Sequence, residues 1–375
     1  MPSSLLPAGT GGVAGAARER TGKARMTRRT QTLVLLAIAF TSRLAAPAGA
    51  QELYPKHVNA KTQTAVVKGL DYLAKTQGQD GNWPNGPDNA AYPVSMAGLA
   101  GMAFLAHGNT TSRGPYAENV HRLVQYLIGQ SKPSGLITGG GLESGRPMYG
   151  HGFALMFLAS AYGMETDPRL RESMRKVIVA GIDLTSRGQS NIGGWTYVPG
   201  EGDEGSVTVT QIQALRACHN AGFTVPKGVI EESVRYLERC KAPGGGIVYS
   251  FGSGGEARLA ISCAAIATLY NAGDYDSKLA EDTMQYVWNE FKDKVGDWNS
   301  SFGHGFYAHL YASQAFYQAG DEYWDHYFPR TRDSLLTRQA ADGSWQGDGI
   351  GATYGTSIAL TILQLPYKFL PIYQR

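Results

Sequence analysis

Downstream of the first 50 residues, the chain alternates between two kinds of helical pattern. Segments 57–77, 117–130, 168–185, 226–241, 277–295 and 323–339 carry apolar positions at three-to-four spacing on one side and charges on the other. Segments 94–107, 152–162, 207–221, 258–271, 305–319 and 356–363 are almost free of charge and rich in Ala, Gly and aromatic residues. A helix with a charged side keeps that side in water, whereas one that is apolar all round is enclosed. Six outer and six inner helices are therefore expected in strict alternation.

The alternation has a period. Tyr149-Gly-His151-Gly-Phe153 returns as Phe302-Gly-His304-Gly-Phe306, and Trp195 returns as Trp345 after 150 residues, so each separation is close to three units of about fifty. Periodicity of that size signals a repeated supersecondary unit. Six hairpins in two layers predict an all-α fold, an (α/α)6 toroid. An open solenoid of similar hairpins is the competing architecture. Loops into the inner segments (78–93, 131–148, 190–205, 242–255 and about 340–353) are long and Gly-rich, and the returns are short. One mouth thus carries the elaboration, ringed by inner-helix N-termini whose partial positive charge favours anions. A site is expected there.

One stretch states the repeat most fully. In Lys68-Gly69-Leu-Asp-Tyr72-Leu73-Ala-Lys-Thr-Gln77-Gly-Gln-Asp80-Gly81-Asn-Trp83 a helix ends at Gln77, Asp80-Gly81 makes a turn needing positive φ, and Trp83 folds back onto the helix ends. Gln339 to Gly343 and Trp345 is a near copy. Gln189 to Gly193, Gly194 and Trp195 is a weaker one, and degenerate forms lie at Gln130 to Gly141 and at Asp297-Trp298. The pattern resembles the QW repeat of the squalene cyclase, terpene cyclase and protein prenyltransferase superfamily. The resemblance covers roughly residues 55–375 and implies that fold, with Gln and Trp tying neighbouring helices together. It says nothing about catalysis.

Composition moves the first 50 residues out of the fold. From Met26, the expected start, two arginines, a short apolar run from Leu33 to Phe40 and Ala48-Gly49-Ala50 form a secretory signal with cleavage after Ala50. The run is too short to span a bilayer. Residues 51–375 then form one exported domain. Without the seven basic residues and one acid of the leader, 34 basic and 31 acidic side chains become 27 and 30, net −3. No basic stripe remains for nucleic acid. Cys218, Cys240 and Cys263 are an odd number, and Cys218 and Cys263 read as small buried thiols.

Glu201-Gly-Asp203-Glu204 precedes the third inner helix. It is similar to the acidic Asp-x-Asp-Asp motif of class II terpene cyclases with two Asp-to-Glu changes, which implies Asp203 as a proton donor flanked by Glu201 and Glu204. Alkene protonation needs a carboxylic acid kept protonated by burial and like charge. Read from the residues alone, the stretch is an acidic loop whose Asp or Ser caps the helix. Asp342-Gly-Ser-Trp345-Gln-Gly347, then Tyr354-Gly-Thr356, is similar to a squalene cyclase segment entering an inner helix, but Asp348-Gly349 stands where a basic-Trp pair is expected.

Tyr149, Phe153, Phe157, Phe302, Phe306, Tyr307, Tyr311 and Phe316 are the aromatics that either fill the barrel or face its lumen, where rings attract cations. The ligand-binding candidates are Tyr149, His151, Trp195, Phe302, His304 and Tyr354. His151 and His304, expected across the barrel axis from one another, read as structural residues rather than metal ligands. Zinc-dependent prenyltransferases need Asp two residues before a ligating Cys, which no cysteine here has, and no metal or cofactor is expected.

The expected function is binding of an isoprenoid or other apolar ligand in the lumen, with protonation-initiated cyclisation at Asp203. The alternatives are a non-catalytic scaffold with a protein partner at the loop-rich mouth, and a carbohydrate enzyme drawing on Glu143, Asp203, Glu204, Asp342 and Asp348.

Overall fold

The computed structural model describes residues 54–298 and 303–374, and the chain from Leu53 onward forms one compact unit. The leader and its cleavage site lie outside the described residues. Thirteen α-helices are described: α1 Ala60–Thr76, α2 Pro87–Ala91, α3 Pro93–Ala106, α4 Ala117–Gln130, α5 Met148–Tyr162, α6 Pro168–Arg187, α7 Gly205–Asn220, α8 Lys227–Arg239, α9 Leu259–Ala272, α10 Lys278–Phe291, α11 Gly305–Ala319, α12 Asp321–Arg338 and α13 Ala352–Gln364. Among the described residues there is no β-strand, only isolated bridges such as Ser131 with Ile137. No described helix is long and apolar enough to cross a membrane.

The inner ring is closed. Helix α3 packs on α5, α5 on α7, α7 on α9, α9 on α11, α11 on α13, and α13 back on α3. Helices α1, α4, α6, α8, α10 and α12 form the outer layer, so the fold is the (α/α)6 toroid and not an open solenoid. Enclosure explains composition: in α3 every residue from Val94 to Ala106 is buried, whereas α1 buries only one face. Glycine lets inner helices touch. A side-chain carbon at Gly101 would lie 2.4 Å from the Phe157 ring, and one at Gly98 would lie 2.6 Å from the α5 backbone.

The Gln–Gly–Trp stretches form the same lock three times. The indole of Trp83 donates to Leu73 O (3.0 Å), that of Trp195 to Thr185 O (2.8 Å) and that of Trp345 to Leu335 O (2.8 Å), each ten residues back on its own outer helix. Each Gln donates both within its turn and to the next outer helix: Gln77 to Asn119 O, Gln189 to Val229 O and Gln339 to Ala65 O. Gly81, Gly193 and Gly343 hold φ of 95°, 94° and 94°, each with a carbonyl of that next helix where a side chain would begin. Only glycine satisfies both conditions.

At the end opposite the long loops the stretch after α13 folds back against the barrel. Leaving α13, it makes a turn at Leu365–Tyr367 and another at Pro371–Tyr373, and the second packs against α7, the helix diametrically across the ring. Leu370, Ile372 and Tyr373 are all buried.

The two similar pentapeptides are not structurally equivalent. His151 lies within the first turn of α5, and its ring bonds to Ile137 N (3.2 Å) and Thr185 Oγ1 (2.9 Å) in the wall beneath α6. His304 precedes α11 and is exposed. The helix begins before one histidine and after the other.

Candidate functional site

All inner helices present their N-termini at the loop-rich mouth, and the chain fills four of the six with its own carboxylates. Glu143 accepts from Val94 N (2.9 Å) and Ser95 N (2.8 Å) at α3. Glu204 accepts from Val207 N (2.7 Å) at α7, Asp348 from Phe306 N (3.0 Å) and Tyr307 N (3.2 Å) at α11, and Asp88 from Thr353 N (3.0 Å) and Tyr354 N (3.2 Å) at α13. The expected ring of positive helix ends is thus largely neutralised from within. Burial pushes the carboxyl groups of Glu143 and Glu204 above the usual range, and the hydrogen bonds each accepts pull them back.

Asp348 has a second duty. Its carboxylate also accepts from the Tyr354 hydroxyl (3.1 Å), and its φ is 51°. Asp348→Ala is expected to cost about 1–2 kcal/mol, because the α11 cap is lost and alanine tolerates that backbone poorly. Asp348→Asn is expected to recover most of the loss in urea unfolding curves.

Within the mouth lies a cavity of about 840 Å³. Its apolar wall comes from Met96, Leu99, Phe153, Ile261, Leu310 and Ile358. At roughly 3.6 residues per turn, Leu99, Leu310 and Ile358 sit about one and a half turns below the helix starts. A ring of phenols stands above them. Tyr149 bonds to Ser206 Oγ, Tyr197 and Tyr249 join hydroxyl to hydroxyl at 2.6 Å, and Tyr354 reaches Asp348. Ser206 Oγ in turn lies 2.7 Å from Glu204, which also receives the Tyr249 hydroxyl. Beneath the cavity, Gln213 of α7 donates to Gln314 of α11 (2.5 Å) across the barrel.

The sequence-predicted residues separate into three groups. Tyr149, His304 and Tyr354 line the cavity, as do Phe153 and Tyr307. His151 and Trp195 are fully buried in the wall, with their polar atoms bonded to neighbouring elements. Neither lines the cavity. Phe302 lies outside the described residues. Phe157 and Phe316 fill the barrel, and the Phe306 ring packs tilted against Trp298, with 4.7 Å between ring centroids.

The acidic motif is also divided. Glu201 is exposed, and Asp203 turns away from the lumen to accept from Phe251 N (2.8 Å). Glu204 alone is buried, as the α7 cap. Asp342 accepts from Ser344 N (3.0 Å) inside its own turn. All three cysteines are buried free thiols, with Cys240 pushed up to about 11 by burial.

Among the cavity residues that the sequence reading did not single out are Arg146, Tyr197, Tyr249 and Arg258. They come from three separate stretches of loop and the start of α9, so no local pattern unites them. The one carboxylate in the described lining is Glu290, exposed and 3.6 Å from Lys294.

The chain matches no protein-family model and no curated protein. Among solved structures it is similar to a variant of the type II terpene cyclase MstE from Scytonema in complex with its substrate, geranylgeranyl dihydroxybenzoate. That match has 13% identity and a TM-score of 0.54, and covers 83% of this chain and 98% of that one. It is equally similar to an α-amylase from Clostridium perfringens, at 13% identity and a TM-score of 0.57, covering 84% of this chain and 100% of that one. A glycosidase variant matches at 12% identity and a TM-score of 0.55, covering 83% of this chain and 98% of that one. Terpene cyclases and carbohydrate enzymes share this helical toroid, and the chain has their fold.

Proposed function

We propose that the toroid is a receptor for a bulky, chiefly apolar ligand of the isoprenoid class, taken in at the loop-rich mouth. One observation carries the reading: a cavity of about 840 Å³ whose deep wall is aliphatic and aromatic and whose described lining holds a single, exposed carboxylate, Glu290. Pockets of that volume and character bury most of a ligand of several hundred daltons.

A carbohydrate enzyme would need two carboxyl groups flanking the bond to be cut. Glu143, Glu204 and Asp348 are engaged as helix caps, and Asp203 and Asp342 are bonded to loop amides. Acid-initiated cyclisation would need a protonated carboxyl aimed at the ligand, and Asp203 points elsewhere. The isoprenoid class itself rests on the repeat resemblance and on a protein of the same fold holding a geranylgeranyl compound. Export by residues 1–50 is part of the proposal, and it would place the toroid where membrane-derived lipids reach it.

The test is incubation of residues 51–375 with squalene and with geranylgeraniol, followed by mass spectrometry of the retained lipid and gas chromatography of the products. Retention without conversion is expected. Leu99→Trp, which fills the cavity, is expected to cut retention about tenfold or more with little change in Tm. A cyclic product from wild type that disappears in Asp203→Asn would replace the receptor with a cyclase. Absence of retained lipid would sink the reading.

A further inference from the structure

The rim of the cavity holds a feature that an apolar ligand alone leaves unused. Arg146, in the loop before α5, lies over the Tyr197 ring at 5.0 Å, and Arg258, at the start of α9, lies over the Tyr249 ring at 4.6 Å. The two tyrosines are joined hydroxyl to hydroxyl, so the four side chains form one continuous arc at the mouth. Both arginines line the cavity, both are exposed, and neither has an ion-pair partner among the described residues.

The placement over a ring matters. A guanidinium held over a ring by cation–π attraction uses none of its five N–H donors for that contact, which leaves them available to a ligand. The arc also sits at the two inner helices, α5 and α9, whose N-termini receive no carboxylate from the described chain. Everywhere else on the rim the positive end is already occupied.

We infer that the ligand is an amphiphile, an apolar chain ending in a carboxylate, with its head held between Arg146 and Arg258 and its tail running down to Leu99, Leu310 and Ile358. The inference rests on the apolar-receptor reading and adds the head. Planar forks of N–H donors match a carboxylate in shape and charge. A metal-bridged diphosphate head would need a cluster of ligating side chains, and no group of three or more His, Cys, Asp or Glu suited to a metal is present among the described residues.

The experiment compares three probes with one tail: geranylgeranoic acid, geranylgeraniol and geranylgeranyl diphosphate, titrated calorimetrically into the full chain at pH 7.5. The acid is expected to bind about tenfold or more tighter than the alcohol. The double variant Arg146→Met, Arg258→Met is expected to abolish the preference, so that acid and alcohol bind that variant with the same affinity. Lys at both positions is expected to restore part of the preference, since it keeps charge without the fork.

Equal affinities in wild type, or a preference that survives the double variant, would overturn the carboxylate clamp while the alcohol's binding kept the receptor reading intact. Diphosphate binding more than tenfold tighter than the acid would reassign the head. Failure of all three probes would remove the receptor reading and the clamp together.

Discussion

Trp345→Ala will lower the unfolding free energy by about 3–5 kcal/mol, measured from urea curves. The side chain is fully buried, so removing the indole leaves a large void that the surrounding helices only partly fill. Its ring presses on α1 at Gly69, where an added carbon would lie 2.7 Å from it, so the first and last hairpins lose their common wedge. The Nε1–H bond to Leu335 O is lost as well, and a helix carbonyl is left without its donor. Trp345→Phe separates the two effects: it keeps most of the volume, gives up the bond, and is expected to cost about 1–2 kcal/mol. If alanine and phenylalanine cost the same, the lock works through the hydrogen bond rather than the packing.

Acid will expose a second vulnerability. His151 and His309 are both fully buried, and burial holds each ring neutral down to about pH 4. In the unfolded chain a histidine gains its proton near 6.5. The folded value is the lower one, so each contributes stability that is complete above pH 6.5 and is lost as pH falls towards 4. The size is roughly 2–3 kcal/mol for each ring. Glu143 and Glu204 act in the opposite sense, because burial raises their folded values and their share declines as pH rises through them.

The diagnostic is therefore a difference between proteins, not the raw slope. Urea midpoints at pH 7.5 and 4.5 are compared for wild type, His151→Leu and His309→Phe. Each variant starts less stable, because His151 receives Ile137 N–H and His309 bonds to Tyr327 and Asp297. Each is nevertheless expected to lose roughly 2–3 kcal/mol less than wild type on acidification. An unchanged acid loss would mean that these rings are not the groups taking up protons on unfolding.

The architecture was legible because burial writes itself into composition. Inner helices cannot carry charge and outer helices must, so twelve segments could be placed before any contact was known. Their starts were harder. The inner helices at Met148, Gly205 and Ala352 begin two to four residues earlier than their apolar patterns suggest. Those first turns contain glycine or threonine and are held by partners far along the chain. Asp88 caps Thr353 and Tyr354 across more than 260 residues, and Tyr197 O receives Met148 N–H. Helix α2, five residues long between two prolines, carries no periodicity to read.

The site was legible only in part, for a related reason. The cluster Glu201, Asp203 and Glu204 is conspicuous as a string, but three neighbouring acids at a helix start point in three directions, and only the cap remains buried. Tyr149, His304 and Tyr354 stand beside inner-helix starts and could be nominated from position alone. Arg146, Tyr197, Tyr249 and Arg258 could not, because their meeting depends on how the long loops fold over one another.

The turn at Pro371–Tyr373 folds back across from α13 onto α7 and covers part of the barrel end away from the long loops. On the receptor reading proposed above, an incoming molecule meets this turn opposite the mouth and has little room to push an occupant out of the far side, so exchange waits for departure. A long-tailed guest whose head remains at the rim has to enter tail first and back out head first. Residence time is then set at the mouth, where a few contacts govern release, while the depth of the cavity governs only how long a tail it accepts.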